Sequence, residues 1–530
     1  MVVPHTIEPS LQSLPSDWTE REELREKGQF WTPPWLAQIM ASWVTATLPE
    51  TLFDPAVGPG TFFSAARLVG YTGPFDGFEL HEAAFTDGER QGLTQEDFSR
   101  IQIADFISSP IPRTYPAIIS NPPYIRHHRL SEQRKSELRT MAQRFLGFAL
   151  DGRVGLHIYF LLKCLEHLSP RGRLAFLLPA DVCEGVSSRA LWNRLCEGYR
   201  LEAILTFDES AAPFPQVDTN AMVILMSHSA PCIHFKWMRV GKQNIGSILG
   251  ALHPSENGQD AVSASFCQKR ELTEALATGL SRPLRPTALH GVRLSYFARV
   301  VRGIATGANE FFFLTREQVK SLGIAPRFFI RAIGRTRDCR GDVLHSSTLE
   351  QLDQAGRPTW LLNLDNTPKE RLPASLQSHL EYGEQQQLHQ RSLIQSRRPW
   401  YKMEQRVAPP ILFAYLGRRD CRFILNEAGV VPLTGFLCVY PWDNDREMVR
   451  RLWRTLNHPS TLQSLAFTGK SYGGGALKVE PRQLDNLEIP LSVLQEVGLK
   501  PPEVATELVL LEKAATKRVE KSSPRGSKDQ

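Results

Sequence analysis

The sequence predicts a doubly wound α/β sheet followed by a mixed α+β domain. Three observations carry this. Short apolar runs alternate with helix-compatible stretches from Arg21 to about Ser227, a glycine turn joins the first run to the first following helix, and past Ser229 the alternation stops. Buried strands alternating with helices are the signature of a parallel sheet covered on both faces. At 530 residues the chain is too long for one ordinary domain. The expected division is residues 1–230, residues 231–512, and a charged tail, 513–530, whose Ser, Pro and Gly content predicts disorder.

The elements follow in order. Leu36, Ile39, Met40, Trp43 and Val44 form the apolar stripe of an amphipathic helix that begins after the pair Pro33-Pro34. Strand-like runs lie at Thr51 to Phe53, Phe75 to Leu80, Ala117 to Ser120, Leu174 to Leu178, Leu201 to Phe207 and Ala221 to Met226. Between them, Phe62 to Val69 and His157 to His167 are helix-compatible. Beyond Ser229, segments such as Pro283 to Thr287, Pro409 to Leu416 and Tyr472 to Pro481 carry Pro, Gly and single aromatics with no long helical period.

Composition bounds the function. Lys plus Arg number 62 against 56 acids, a net charge of +6 that permits a polyanionic partner without requiring one. The 8 cysteines include no C-x-x-C pair, so neither a disulfide framework nor a metal site is expected. The start, MVVPHTIEPS, lacks a signal-peptide pattern, and the longest uncharged stretch, Phe30 to Pro49, is broken by two prolines. A cytoplasmic protein without a membrane segment is the expectation.

The run TLFDPAVGPG ends a strand in a glycine turn and opens a helix, the geometry of a nucleotide-binding corner. Gly58 and Gly60 are followed by Phe63 where a dinucleotide fingerprint needs a third glycine. Asp54 at the strand end would repel a pyrophosphate but suits a ligand bearing an ammonium and a sulfonium, which S-adenosylmethionine does. Glu79 ends the next strand 19 residues beyond Gly60, near the offset of a ribose-binding acid. Asp105, after a third run, is placed to accept from an adenine amine, with Phe106 against the ring. Each acid alone also reads as a solvated strand-end charge; in series behind successive strands they support one another.

The run AIIS leads directly into Asn121-Pro122-Pro123-Tyr124. An amine conjugated to a ring or carbonyl is a poor nucleophile, and two acceptors, the Asn121 side-chain oxygen and the Pro122 carbonyl, can hold its hydrogens and favour pyramidalisation. Consecutive prolines fix φ and leave no backbone donors there. Tyr124 can stack on a planar substrate, worth on the order of 1–3 kcal/mol for a base. The competing reading is a proline-rich turn with a buried tyrosine.

The ordered set GQFWTPPWLAQIM, DPAVGPGTF, GFEL, ADF, NPPYIRHHRL, GRLAFLLPADV and FPQVDTNAMVIL resembles the gamma class of DNA adenine-N6 methyltransferases of restriction-modification systems. That class has a Rossmann-like methyltransferase sheet and a C-terminal target recognition domain. The resemblance covers the first half closely and extends more loosely into segments 300–314, 396–413 and 469–490. It implies cofactor contacts at Thr32, Asp54, Ala56, Gly58, Gly60, Glu79, Asp105 and Phe106, catalysis by Asn121, Pro122, Pro123 and Tyr124, and an aromatic wall for an extruded adenine at Phe214. Val57 and Pro59 depart from the residues common in that loop; Pro59 stiffens it.

Such an enzyme must take its base out of the duplex. Candidate DNA contacts are Arg126, His127, His128 and Arg129 after the catalytic element, with Arg302, Asn309, Arg398, Lys402, Lys470 and Lys478 in the second half. Glutamine and ribosomal-RNA methyltransferases share NPPY chemistry; about 280 further residues fit duplex reading better than a small peptide substrate. A cytosine-C5 enzyme is disfavoured, because the single Pro-Cys, Pro231-Cys232, does not follow the substrate strand. A catalytically silent DNA-binding subunit is disfavoured by the intact loops. With no room upstream for a nuclease domain, a restriction endonuclease partner is expected to be a separate polypeptide.

Overall fold

The computed structural model describes residues 30–84, 93–125, 127–152, 154–183, 186–214, 220–241, 245–252, 266–284, 286, 289–414, 421–465, 467–468, 470–471 and 477–501. One compact unit takes in the chain up to Leu284, and a second begins at Arg285.

In the first unit α1 (Pro34–Thr45) precedes β1 (Leu52–Asp54), α2 (Thr61–Leu68), β2 (Phe75–Glu79), α3 (Gln95–Ser99), β3 (Ile101–Ile103) and β4 (Tyr115–Ser120). Then come α4 (Glu132–Leu146), α5 (Leu156–Glu166), β5 (Leu168–Pro179), α6 (Val186–Gly198), β6 (Arg200–Phe207) and β7 (Ala221–Ser227). The unit closes with β8 (His234–Val240), α7 (Ile245–Leu252), β9 (Cys267–Glu271) and α8 (Leu272–Thr278). The strands make one nine-stranded sheet in the order β3-β2-β1-β4-β5-β7-β6-β8-β9. Strands β1 to β5 run parallel, and β7 inserts antiparallel between β5 and β6.

Alternate residues of each central strand feed opposite faces. Leu52, Ala117, Ile119 and Leu177 belong to one core, while Phe53, Ile118, Phe176 and Leu178 belong to the other. Two-sided burial is why these strands read as continuous apolar runs. Strand order reverses between β1 and β4, and an open α/β sheet binds ligands in the crevice at such a switch point. Asp54 ends β1 and Asn121 directly follows β4, so the glycine-loop corner and NPPY lie side by side there.

The expected boundary at residue 230 falls short. The sheet continues through β8 and β9, with β8 parallel to β6 and antiparallel to β9. In HFKWMRV the buried Phe235, Trp237, Met238 and Val240 are interrupted by Lys236 and Arg239, so the run lacks the unbroken apolar character of the earlier strands. Pro231-Cys232 lies between β7 and β8, away from the strand that leads into NPPY.

The second unit is mixed α+β, as expected. It opens with β10 (Gly291–Arg293), and its further strands make a five-stranded sheet and a four-stranded one. The first comprises β11 (Ala298–Arg302), β14 (Val343–Leu344), β16 (Ile411–Ala414), β17 (Arg422–Asn426) and β19 (Phe436–Pro441). The second comprises β12 (Phe313–Leu314), β13 (Phe329–Ile333), β15 (Trp360–Leu362) and β18 (Val431–Pro432). Helices Ala374–Gln385 and Arg446–Leu456 supply the longest helical faces among the described residues of this unit. The tail 513–530 lies outside the described residues. No helix among the described residues is long and apolar enough to cross a membrane.

Candidate functional site

Parallel pairing of Leu52 with Ala117 and Phe53 with Ile118 brings the ends of β1 and β4 together. Asp54 is consequently fully buried, and its Oδ1 accepts from Ala56 N at 3.0 Å and Ser120 Oγ at 2.9 Å. Its Oδ2 is buried with no hydrogen-bond partner in the structure. Burial, aided by the field of Glu79, pushes the Asp54 carboxyl from its ordinary 3.8 to about 7. An orphaned buried carboxylate oxygen asks for a donor or a cation.

The glycine loop is tied to the end of β2. Val57 N donates to Phe78 O at 3.0 Å, and Gly58 N donates to Glu79 Oε2 at 2.8 Å. Gly58 has φ 54° and Gly60 φ 82°, left-handed values that favour glycine. Gly60 caps α2, whose N-terminus has no side-chain cap. A Cβ built on Gly58 meets nothing within 4 Å, so this backbone borders open space. Glu79 Oε1 also accepts from Leu80 N and His81 N, at 2.9 and 3.0 Å. Glu79 thus shapes the loop as well as standing at the ribose offset. Beside it Leu80 is 57% exposed, an apolar face at the strand end suited to a planar ring.

This geometry makes Gly58→Asp a direct test. The substitution forces a side chain into a left-handed conformation costing about 1–3 kcal/mol and adds a carboxylate beside Asp54 and Glu79. Cofactor affinity by calorimetry is expected to fall at least tenfold in a still-folded variant; wild-type affinity would remove this loop from the site.

Asp105 and Phe106 follow β3. Asp105 Oδ1 accepts from Ile107 N at 3.1 Å, and Oδ2 takes Ser108 Oγ at 2.7 Å and pairs with Arg134. Phe106 is buried among Phe53, Phe78 and Phe160, with ring centroids 5.9, 5.7 and 5.1 Å away. Lys163 fixes the following turn by donating to the carbonyls of Phe106, Ile107 and Ser109 at 2.7, 2.9 and 2.6 Å. Both residues therefore have structural partners of their own.

At NPPY, the Asn121 amide nitrogen donates to Phe30 O at 2.6 Å and to Thr32 Oγ1 at 3.2 Å. A backbone carbonyl only accepts, so the amide's NH2 must face Phe30 and its Oδ1 is turned away from that anchor as an available acceptor. Thr32, expected as a cofactor contact, is buried against Asn121 and orients it. Three rings gather around the element. Phe30 lies 6.1 Å from Tyr124 and 5.6 Å from Phe214, and Tyr124 meets Phe214 edge-on at 6.4 Å.

His157, in the first turn of α5, meets Tyr124 edge-on at 5.8 Å. Phe30, Leu80 and His157 were not singled out by sequence reasoning. Phe30 and Leu80 stand inside the quoted segments, whereas His157 is masked by the apolar run of α5.

The candidate DNA contacts are scattered. Arg126 lies outside the described residues, as does the His128 side chain; His127 and Arg129 belong to a 3-10 turn and have partners. In the second unit Arg302 pairs with Glu480, and Asn309 Oδ1 accepts from Thr306 Oγ1 at 2.6 Å. Arg398 donates to Gln395 O at 2.6 Å and Arg397 O at 2.9 Å, and Lys402 is half-buried. Lys470 and Lys478 face one another in the β20 (Lys470–Ser471) and β21 (Leu477–Lys478) pair, their side chains outside the described residues. Among the described residues no group of three or more His, Cys, Asp or Glu is placed to hold a metal ion.

Residues 80–214 match the Eco57I restriction-modification methylase family, and residues 286–516 match the C-terminal domain of Type II methyltransferase M.Eco57I. The chain carries Eco57I-type restriction-modification methylase domains. This methylase is 24% identical over 96% of its length to Type II methyltransferase M.AccI of Acinetobacter calcoaceticus, covering 93% of that protein. It is 25% identical over 87% of its length to M.XamI of Xanthomonas campestris pv. amaranthicola, covering 85% of it. Among solved structures the type IIG restriction endonuclease BpuSI aligns with TM-score 0.44 and 16% identity. That alignment covers 93% of the methylase but spans only 61% of the BpuSI chain.

Proposed function

We propose that this methylase transfers a methyl group from S-adenosylmethionine to the N6 amine of an adenine extruded from a specific duplex DNA site. The observation that carries the reading is the Asn121 amide, anchored through its nitrogen so that its oxygen is left to accept from a substrate amine. The Pro122 carbonyl supplies a second acceptor. Drawing both amine hydrogens toward acceptors returns the lone pair to nitrogen, which makes it nucleophilic. Phe30, Tyr124 and Phe214 offer faces for the base.

The cofactor fits the corner at β1. The orphaned Asp54 Oδ2 answers a cationic ligand, the Gly58 backbone borders open space, and Leu80 suits an adenine face. When bound, S-adenosylmethionine supplies a methyl group activated by its sulfonium. Asp54 and Glu79 hold and orient it, while Asn121 holds the acceptor amine. Asp105 and Phe106 shape the neighbouring turn.

The second unit is the proposed target recognition domain, and duplex DNA the partner. M.AccI and M.XamI align across both units, which supports DNA over a release-factor glutamine or an RNA. Protection against a separate cognate endonuclease is the biological role this implies. Single-molecule sequencing of DNA from cells expressing the methylase tests the reading: N6-methyladenine at one short motif is expected. Transfer to RNA or protein with unmodified DNA would overturn it.

The Asp54 carboxyl gives a pH prediction. Its folded value, about 7, lies above its ordinary 3.8, so the free protein carries Asp54 protonated below about pH 7. A cationic ligand favours the ionised form. Binding at pH 6 should therefore release close to one proton, and affinity should climb with pH and level off above 7. The ligand-free fold has the opposite trend, losing stability as pH rises from about 4 through 7. Calorimetry in two buffers of different ionisation enthalpy measures the proton, and Asp54→Asn should abolish the release. Equal proton counts at pH 6 and 8 would dissociate Asp54 from the ligand.

A further inference from the structure

We propose that His157 is a positioning residue for methyl transfer, accepting the Tyr124 hydroxyl once the substrate base is in place and so locking the Tyr124 ring against it. This rests on the base-methylating reading above.

Two buried polar atoms beside the catalytic element have no hydrogen-bond partner in the structure: Tyr124 Oη and His157 Nδ1. A buried polar atom left without a partner is destabilising, so the pair holds a reserve of unsatisfied bonding next to the reacting centre. The phenol can donate and a neutral imidazole nitrogen can accept, which makes them complementary. Their rings already meet edge-on, with centroids 5.8 Å apart at 78°, so the two groups are neighbours beside the element.

The local backbone is built for the imidazole. Gly155 precedes α5, and a Cβ there would fall 2.5 Å from His157 Cε1, 2.9 Å from His157 Nδ1 and 3.2 Å from Ile125 O, so only glycine leaves the Nδ1 edge of the ring unobstructed. Leu156 N donates to Ile125 O at 3.0 Å, tying the start of α5 to the residue just after NPPY. Burial lowers His157 to about 4 against the opposing field of Asp181, so the ring is neutral and can accept at neutral pH. Burial likewise raises the Tyr124 phenol well above its ordinary value, keeping it a donor. A tyrosine stacked on a base cannot bond that base with its own hydroxyl, which projects past the ring edge. His157 gives that hydroxyl a destination within the protein.

The test is a double-mutant cycle on the full chain. His157→Phe keeps an aromatic edge without the acceptor, and Tyr124→Phe keeps the ring without the donor. Each is expected to lower kcat about tenfold at unchanged cofactor affinity and unchanged KM for duplex. The double variant should be no worse than either single one. His157→Asn, whose oxygen stands where Nδ1 does, should recover most of the rate, and His157→Gln, which mimics Nε2, should not. The Asn and Gln pair decides the matter if His157→Phe fails to fold. Multiplicative losses in the double variant, or equal activity of Asn and Gln, would overturn the inference while wild-type transfer to DNA leaves the functional reading standing. No transfer by the wild type to any duplex would overturn that reading and the inference with it.

Discussion

Asn121→Ala is expected to abolish methyl transfer while sparing binding. The Asn121 oxygen acts on the amine as its nitrogen pyramidalises, so its contribution is made largely in the transition state, and losing such a contact lowers kcat without raising KM. Removing one comparable preorganised group from an enzyme site costs about 2.7–4 kcal/mol, a factor of roughly 10² to 10³. That scale is expected in kcat, with duplex affinity and cofactor affinity within threefold of wild type. Thr32→Val gives the control for orientation. It removes the weaker of the two anchors, at 3.2 Å, and leaves Phe30 O at 2.6 Å in place, so a loss of only a few-fold is expected. Single-turnover rates at saturating cofactor separate the two. Near-normal transfer by Asn121→Ala would reduce NPPY to a turn and remove the catalytic assignment.

How much of this could be read in advance depended on whether a residue's role is local. Asp54, Gly58 and the NPPY element were legible because each sits at the end of a strand buried on both faces, where an apolar run stops at a polar residue. The parallel register of β1 and β4 then puts Asp54 within 2.9 Å of Ser120, a contact 66 positions apart that no spacing encodes. The partners of Asn121 were invisible for the same reason. Phe30 O and Thr32 are 91 and 89 positions away, and the role of the Thr-Pro segment as an anchor for the Asn121 amide follows only from the folded chain. Phe106 packs against Phe53, Phe78 and Phe160, contacts that no spacing in the sequence encodes. His157 escaped notice because one polar residue in LHIYFLLKCL does not disturb the helical period. The boundary at 230 failed because β8 mixes charged and apolar residues, the pattern of a strand with a partly polar face.

Cutting the chain at the observed boundary is expected to separate cofactor binding from sequence selection. The fragment 1–284 keeps all nine strands of the first sheet and every candidate cofactor residue, whereas a cut at 230 would remove β8 and β9 and leave the edge of β6 unpaired. If the second unit reads DNA, the intact methylase should prefer one short duplex sequence over random DNA by roughly 10³ or more, within the ordinary range for specific sites. The fragment should bind S-adenosylmethionine within a few-fold of the intact chain and show no such preference. Phosphate contacts supply the sequence-independent part of duplex affinity, so affinity of the intact protein should fall steeply between 50 and 200 mM salt, by about 10³ for six or more contacts. Fluorescence anisotropy with matched specific and scrambled duplexes, run at both salt concentrations, measures preference and slope together. A fragment that keeps the full preference would move recognition into the first unit. An intact protein with equal affinity for both duplexes would remove the recognition role proposed for the second unit.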